Sequence, residues 1–178
     1  MFFYTAMYNL TSAPTFPQRK LSMNGYNYRS VAKTMLIESA SSGLTQTALS
    51  LQKLLYFAHG LMLAKHDRAL INAQFQAWKY GPVLDSLYHD LKLFGPALIA
   101  PHSFFIDDWK PLPEEAKLET ACIKSVLSQF GKASAGRLVE ITHEPSGPWA
   151  KVYQSEVLGI DISDDEVKAY FKTKLSRS

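Results

Sequence analysis

The sequence predicts a mainly α protein: a compact, single-domain helical bundle of about five to six helices, with a small β element around Phe75–Tyr80. The first observation behind this prediction is that apolar residues recur at helical spacing over most of the chain, bounded by residues that favour helix ends. The second is that the segment FQAWKY has the density of aromatic residues expected of a short strand.

The composition is that of a globular protein. With 178 residues, of which 47% are hydrophobic and 20% charged, the chain can bury a core of its own, and wholesale disorder is excluded. Its net charge of +3 is spread along the chain, which argues against a nucleic-acid partner. The single Cys122 fits a reducing compartment, and no apolar run approaches the roughly 20 residues of a membrane span. We therefore expect a cytoplasmic protein without a membrane partner.

The first residues differ from the rest of the chain. MFFYTAMYNLTSAPTFPQRKLS is aromatic and contains proline, but it has neither a helical nor an alternating period, and it lacks the basic start of a signal peptide. The sequence therefore predicts an N-terminal extension over residues 1–22, weakly ordered or packed on the domain, and a helical domain over residues 23–178. A natural translation start at Met23 is an open alternative.

The first half of the domain should contain helices on both sides of the short strand. The first helix begins at Tyr28, and Gly43 is placed to end it in a left-handed conformation. The second, LSLQKLLYFAHGLMLAKH, has an apolar stripe wide enough to make it central and largely buried. Its start could be capped by Thr45, Thr47 or Ser50. After the strand, Gly81 supplies turn freedom, and Pro82 suits the first position of a helix because the amide there needs no partner.

The second half is expected to hold further helices. A connection with short extended pieces around Leu98 and Phe104–Ile106 precedes a long helix, which begins at Pro113 and ends at Gly131. The buried stripe of that helix should consist of Leu118, Cys122, Val126 and Phe130. A shorter helix follows over Ser134–His143, and EPSGPW is interpreted as a loop.

The last helix has the clearest start signal in the chain. Ser163 and Glu166 stand at the spacing of a capping box, in which each side chain binds the other residue's backbone amide. Ile162 and Val167 occupy the two positions of a hydrophobic staple. The final helix should therefore begin directly after Ser163.

Neither a metal site nor a cofactor site is predicted. The five histidines have no HExxH pairing and no Cys-His zinc spacing, and no glycine-rich loop has the form of a phosphate cradle. The best polar constellation is Thr142-His143-Glu144 with Trp149, where a hydroxyl, an imidazole and a carboxylate could form an acid–base site. The competing interpretation is that these residues cap a helix end and pin a loop, so no catalytic residue is assigned.

Several pieces of the sequence resemble the Panacea domain, the family of SocA-type antitoxins and GepA-like phage-associated proteins. They are KLLYF at Lys53–Phe57, YGPV at Tyr80–Val83, and Thr142-His143 followed by Pro148-Trp149. The resemblance covers about Tyr28–Leu175. The chain departs from the family at Asp67 and Ala69, where members usually carry Gly and Pro, and it has no appended helix-turn-helix or zinc ribbon.

The resemblance implies a non-enzymatic antitoxin that neutralises a co-encoded protein toxin by direct binding. The alternative is a phage-associated adaptor or regulatory protein that works with a cellular protease, and the least supported reading is an enzyme centred on His143 and Glu144. The family-motif residues, whether structural or partner-binding, are Lys53, Tyr56, Trp78, Tyr80, Gly81, Pro82, Val83, Thr142, His143 and Trp149.

Aromatic residues within this motif are suited to anchoring an interface if they are exposed: Trp78, Tyr80 and Trp149. They belong to the pattern that the family shares, whereas the partners vary. We therefore interpret Trp78 and Tyr80 as packing the strand, the turn and the loop together, with interface contact as their minor role. Partner-specific contact is then expected in the Pro96–Pro113 connection or in the N-terminal extension.

Overall fold

The computed structural model describes residues 25–176, so the expected extension over residues 1–22 lies outside the described residues. The helices in this range are α1 (Tyr28–Ser41), α2 (Ala48–His66), α3 (Asp85–Leu91), α4 (Lys117–Phe130), α5 (Ala135–Thr142), α6 (Pro148–Val152) and α7 (Asp164–Leu175). The strands are β1 (Gln46–Thr47), β2 (Gln76–Trp78), β3 (Gly81–Val83) and β4 (Leu98–Ile99). The predicted mainly α class with a small β element is confirmed.

Helix α2 is the centre of the fold, as its wide apolar stripe predicts. Every residue from Ser50 to Gly60 is buried, and α1, α4, α5 and α7 all pack against this helix. Of the possible caps, Thr47 is the one used: its hydroxyl accepts from the Ser50 amide, and the Ser50 hydroxyl accepts from the Thr47 amide. This reciprocal pair satisfies two amides that the first turn leaves without helical partners. In the described part of the chain, no helix is long and apolar enough to cross a bilayer.

Helix α7 closes the bundle over α2. The Phe171 ring lies against Gly60, where the absence of a side chain lets the two helices approach, and it meets the Tyr56 ring edge-on at 5.8 Å. The predicted Ser163 cap is confirmed, because its hydroxyl accepts from the Asp165 amide. The capping-box role of Glu166 is wrong: its carboxylate pairs instead with Lys151 of α6. Both staple residues, Ile162 and Val167, are buried.

The small β element is an antiparallel hairpin of β2 and β3, which we call the hairpin. Its register pairs Gln76 with Val83 and Trp78 with Gly81, and the turn consists of Lys79 and Tyr80. The prediction that Pro82 begins a helix is wrong, because Pro82 lies in β3 and the next helix starts only at Asp85. The physical reason lies on α2. Gln52 binds both the amide and the carbonyl of Leu84, which holds the chain extended past the proline.

Three further boundaries differ from the sequence prediction. Residues Phe104–Ile106 form a turn of 3-10 helix where an extended piece was expected, whereas the piece around Leu98 is a strand. The long helix begins at Lys117 because the preceding chain is tied to α1, where the Leu112 amide donates to the Thr34 hydroxyl. Leu118 is consequently exposed. The segment interpreted as a loop contains α6, which Pro148 opens at its first position.

Candidate functional site

The motif residues that are far apart in sequence meet at the hairpin. Lys53 of α2 has no solvent exposure, and its ammonium group donates to the Pro82 carbonyl at 2.7 Å. On the other side, the Trp149 indole of α6 donates to the Trp78 carbonyl at 2.8 Å. One donor therefore holds a carbonyl of each strand, and we call Lys53 and Trp149 the clamp. Because both donors are buried, each fixes its strand without competition from water.

Gly81 is the point of closest approach between the hairpin and α5. A Cβ atom at this position would lie 2.5 Å from the Thr142 hydroxyl oxygen and 3.1 Å from the Lys53 nitrogen, and the backbone has a φ of +92°. That φ belongs to the region that glycine enters without steric cost. The Thr142 hydroxyl itself donates to the Val139 carbonyl, one turn earlier in α5. The turn freedom that the sequence assigns to Gly81 is thus used to seat the hairpin on two helices.

His143 belongs to a stack of rings at the end of α5. Its imidazole lies flat on the Trp149 indole, with ring centroids 3.8 Å apart and planes 3° from parallel, and Trp149 in turn stacks on Tyr153. Burial, and secondarily the nearby Lys53 charge, lower the pKa of His143. The ring is therefore neutral at pH 7, and within residues 25–176 its Nε2 atom is buried without a hydrogen-bond partner.

Glu144 is engaged by α7 and not by the histidine beside it. Its carboxylate accepts from Lys174 at 2.7 Å and from the Tyr170 hydroxyl at 2.5 Å, and these bonds lower the pKa of Glu144 to about 2. Among the described residues, no hydrogen bond joins Glu144 to His143. A carboxylate this acidic is a poor proton acceptor near neutral pH. The arrangement favours the interpretation that this cluster caps a helix end and pins a loop.

The burial of Lys53 predicts a specific pH dependence of stability. Desolvation lowers the pKa of Lys53 to about 7, whereas in the unfolded chain it stays near 10.5. Between these values the unfolded state binds more protons than the folded state, so the free energy of unfolding rises with pH. From pH 7 to pH 9 we expect a rise of about 2 kcal/mol in the wild type, which Lys53→Met should abolish.

Urea denaturation of both proteins at several pH values between 7 and 9 measures this difference. The Lys53→Met variant is its own control for other groups, since the ionisation of Cys122 in the unfolded chain contributes equally to both proteins. The pKa of Cys122 is raised to about 11 by burial, so this contribution lowers stability as pH rises. Equal pH slopes in the two proteins would contradict a lysine that is buried in its neutral form above pH 7.

The remaining motif residues divide between core and surface. Tyr56 and Val83 are buried, and the Tyr56 ring packs edge-on against Phe75 at 5.3 Å. Trp78 is half-buried and rests on Tyr88, with ring centroids 4.9 Å apart. The packing interpretation is therefore partly right for Trp78, but it is wrong for Tyr80, whose surface is 58% exposed at the tip of the hairpin.

No group of three or more His, Cys, Asp or Glu side chains within residues 25–176 could hold a metal ion. The buried histidine, His59, has a structural environment: it accepts from the Ile71 amide at 3.3 Å and lies 3.1 Å from Asp164 at the start of α7. A cavity of about 490 Å³ lies between α2, α4, α5 and α7. Its walls are mainly aromatic and aliphatic, and the charged groups at its edge, Glu144 and Lys174, neutralise each other.

The most exposed apolar surface lies in the connection after α3. It consists of Leu93, Leu98, Phe104 and Phe105, which we call the 93–105 surface. Phe104 is 90% exposed and Leu93 73% exposed, far more than aromatic and aliphatic residues usually are. Phe105 packs edge-on against both Phe94 and Phe104, at 5.7 Å each. The surface falls within the Pro96–Pro113 connection and the residues just before it.

This connection is anchored from beneath. Lys33 of α1 is buried, and its ammonium group donates to the Pro101 carbonyl at 2.5 Å and to the Ile106 carbonyl at 3.0 Å. The side chains of Ile99 and Ile106 point into the core. The exposed phenylalanines are thus held on a fixed backbone. Sequence reasoning named the connection but not these residues, although two adjacent phenylalanines outside any helical period were the available signal.

Comparison with known proteins now adds to this geometry. The family model described as "Antitoxin SocA-like, Panacea domain" matches residues 51–150, which include both residues of the clamp, the hairpin and the 93–105 surface. The protein named Antitoxin SocA from Caulobacter vibrioides (strain NA1000 / CB15N) is 34% identical over 154 residues, and the match covers 81% of each chain. No solved structure matches. The chain belongs to the SocA-like antitoxin family, which is defined by the Panacea domain.

Proposed function

We propose that this chain is an antitoxin that neutralises a co-encoded protein toxin by direct binding. The observation that carries the proposal is the 93–105 surface, an exposed apolar patch on a fixed backbone in a chain of an antitoxin family. Exposed apolar patches of this kind mark protein–protein contacts, because water around them is released on binding. Aromatic residues are also enriched among the residues that contribute most to binding.

The anchoring of this surface supports a binding role over a disordered or accidental one. Holding Phe104 in solvent is unfavourable, so the fold gains nothing from its 90% exposure. Lys33 nevertheless fixes the backbone on both sides of the phenylalanines. A surface ordered before binding loses less conformational entropy when the partner arrives, which raises affinity.

A non-enzymatic mode of action is part of this proposal. The one polar cluster with the right residue types, His143 and Glu144, is committed to ring stacking and to ion pairing with α7. Neutralisation by binding needs no reacting group on the antitoxin. It needs only that the complex masks the toxin or holds it in an inactive form.

Co-expression tests the proposed function directly. The protein encoded by the neighbouring gene should arrest growth when expressed alone, whereas co-expression with this chain should restore growth and yield a complex that co-purifies. Failure of both rescue and co-purification would rule the proposal out. If the partner instead disappears faster in cells that contain this chain, and is stable once a cellular protease is deleted, the adaptor function would replace simple sequestration.

The contribution of the 93–105 surface can be measured separately. We expect Phe104→Ser with Phe105→Ser to raise the Kd for the neighbouring protein at least tenfold, because two exposed aromatic contacts are lost. The free energy of unfolding should change by less than about 0.5 kcal/mol, since exposed positions contribute little to folding. Calorimetric titration gives the Kd, and urea denaturation gives the stability.

The matched control is Leu158→Ser, which removes another exposed apolar side chain, 84% exposed in the loop before α7. This control should leave the Kd unchanged within about twofold. Equal effects of the control and the double variant would indicate a general loss of surface hydrophobicity and would contradict a specific role for the 93–105 surface.

A further inference from the structure

A second surface feature, distinct from the 93–105 surface, is a groove between the hairpin and the helices α2 and α3. We call it the hairpin groove, and it has a volume of about 500 Å³. Its apolar lining includes Leu49, Trp78, Val83, Tyr88 and Leu91. The volume falls within the range of sites that bind small ligands or single protein side chains.

The charges at the hairpin groove have one sign. Lys79 and Lys92 are both exposed members of its lining, and the lining contains no acidic residue. Within residues 25–176, neither ammonium group is paired with a carboxylate. Lys79 lies over the Tyr80 ring at 5.6 Å, a contact that leaves its charge available to a further partner.

The shape of the hairpin groove is set before any partner binds. Trp149 holds the Trp78 carbonyl, and Gln52 holds the backbone of Leu84 through its amide and its carbonyl. The Trp78 indole donates to Gln76, which fixes the ring against Tyr88. Family-motif residues therefore build the groove even though most of them lie beneath it.

We propose that the hairpin groove binds an acidic apolar segment of the toxin, with an aromatic or aliphatic side chain in the groove and a carboxylate against Lys79 and Lys92. This proposal rests on the proposed function and names the chemistry by which the partner is recognised. Charge complementarity carries it: two cations flank an apolar groove without a carboxylate of their own. Such complementarity raises association rates and rejects partners of the wrong charge.

The same argument disfavours the chain's own N-terminal residues as the occupant. Residues 1–22 contain no Asp or Glu, and they carry Arg19 and Lys20, so they share the sign of the hairpin groove. The groove also continues into the 93–105 surface, because Lys92 lies in its lining and Leu93 follows directly in the chain. One toxin molecule could therefore contact both surfaces at once.

Charge reversal tests the proposal in the complex with the full-length neighbouring protein. Lys79→Glu with Lys92→Glu should raise the Kd at least tenfold, and the remaining binding should lose most of its weakening by added NaCl. The matched control is Lys132→Glu with Lys172→Glu, which changes the net charge equally at two other exposed lysines. That control should leave the Kd within about threefold of the wild type.

Carbodiimide coupling then identifies the contact. This reagent joins an amine and a carboxylate in direct contact as an amide, and mass spectrometry should find Lys79 or Lys92 joined to an Asp, a Glu or the C-terminal carboxylate of the toxin. A complex whose Kd is the same for both charge reversals, or in which neither lysine is coupled, would overturn the inference and leave the antitoxin function standing. No complex at all would overturn the proposed function, and the inference with it.

Self-association is the remaining outcome, and light scattering on the chain alone measures it. If the wild type forms dimers or larger species that Lys79→Glu with Lys92→Glu makes monomeric, the hairpin groove belongs to a second copy of this chain and the inference is overturned. A wild type that is monomeric without its partner agrees with the proposal.

Discussion

Replacing Gly81 by alanine is expected to lower the free energy of unfolding by about 3 kcal/mol, because backbone strain and a steric overlap act together. The backbone at Gly81 has a φ of +92°, a conformation that an alanine adopts only at a cost of about 1–2 kcal/mol. The new Cβ atom would also lie 2.5 Å from the Thr142 hydroxyl oxygen, which has buried surroundings on all sides. Urea denaturation followed by circular dichroism measures the loss.

Gly43→Ala is the matched control for this prediction. Gly43 also has a left-handed backbone, with a φ of +69°, but a Cβ atom there would meet nothing within 4 Å. It should therefore cost only the strain, about 1 kcal/mol. Adding Thr142→Ala to Gly81→Ala should recover part of the larger loss, since the overlapping oxygen is removed. Equal losses at Gly81 and Gly43 would show that the close approach to α5 has no energetic weight.

Gly81 also shows how far sequence reasoning reaches in this protein. Its need for conformational freedom is local, and a Gly-Pro pair between two apolar segments is enough to predict it. The fate of Pro82 is not local, because Lys53 and Gln52 from the preceding helix bind the chain on either side of it. A pattern confined to the segment cannot contain those contacts, so it predicts a helix start where the structure has a strand.

The exposure of aromatic residues was the least predictable property of the candidate surfaces. Composition rules place a tyrosine or a phenylalanine in the core, and for Tyr56 and Phe75 this is correct. Tyr80 and Phe104 are exposed because the hairpin turn and the 3-10 turn point away from the bundle, and the turn direction depends on remote anchors. Family resemblance located the hairpin correctly, but it could not say which of its faces meets solvent.

The packing of α7 on α2 leads to the second large effect. Gly60→Ala is expected to lower the free energy of unfolding by about 2 kcal/mol, because the added methyl group would stand 2.4 Å from the Phe171 ring. The ring has little room to turn away, since Tyr56, Phe57 and Tyr170 all contact it. The helix α7 must then move outward as a unit, and thermal or urea denaturation should register the loss.

Gly136→Ala separates this overlap from the intrinsic effect of the substitution. Gly136 also lies in a helix, α5, but its nearest neighbour to an added Cβ atom is the Ser134 hydroxyl at 4.0 Å. There the exchange should raise stability by about 0.5–1 kcal/mol, because alanine loses less backbone freedom on folding than glycine does. Opposite signs for one chemical change would assign the role of Gly60 to helix approach.

A double-mutant cycle with Phe171→Ala then locates the overlap on one ring. Phe171→Ala alone should destabilise the chain, since it removes an aromatic contact from α2. Combined with Gly60→Ala, the total loss should fall short of the sum of the two by at least about 1 kcal/mol, because the methyl group then occupies space that the ring has left. Strict additivity would mean that the methyl group displaces α7 through some other contact. A positive coupling would show that the central helix carries a glycine where it does so that one phenylalanine can close the bundle beside the His143–Glu144 cluster.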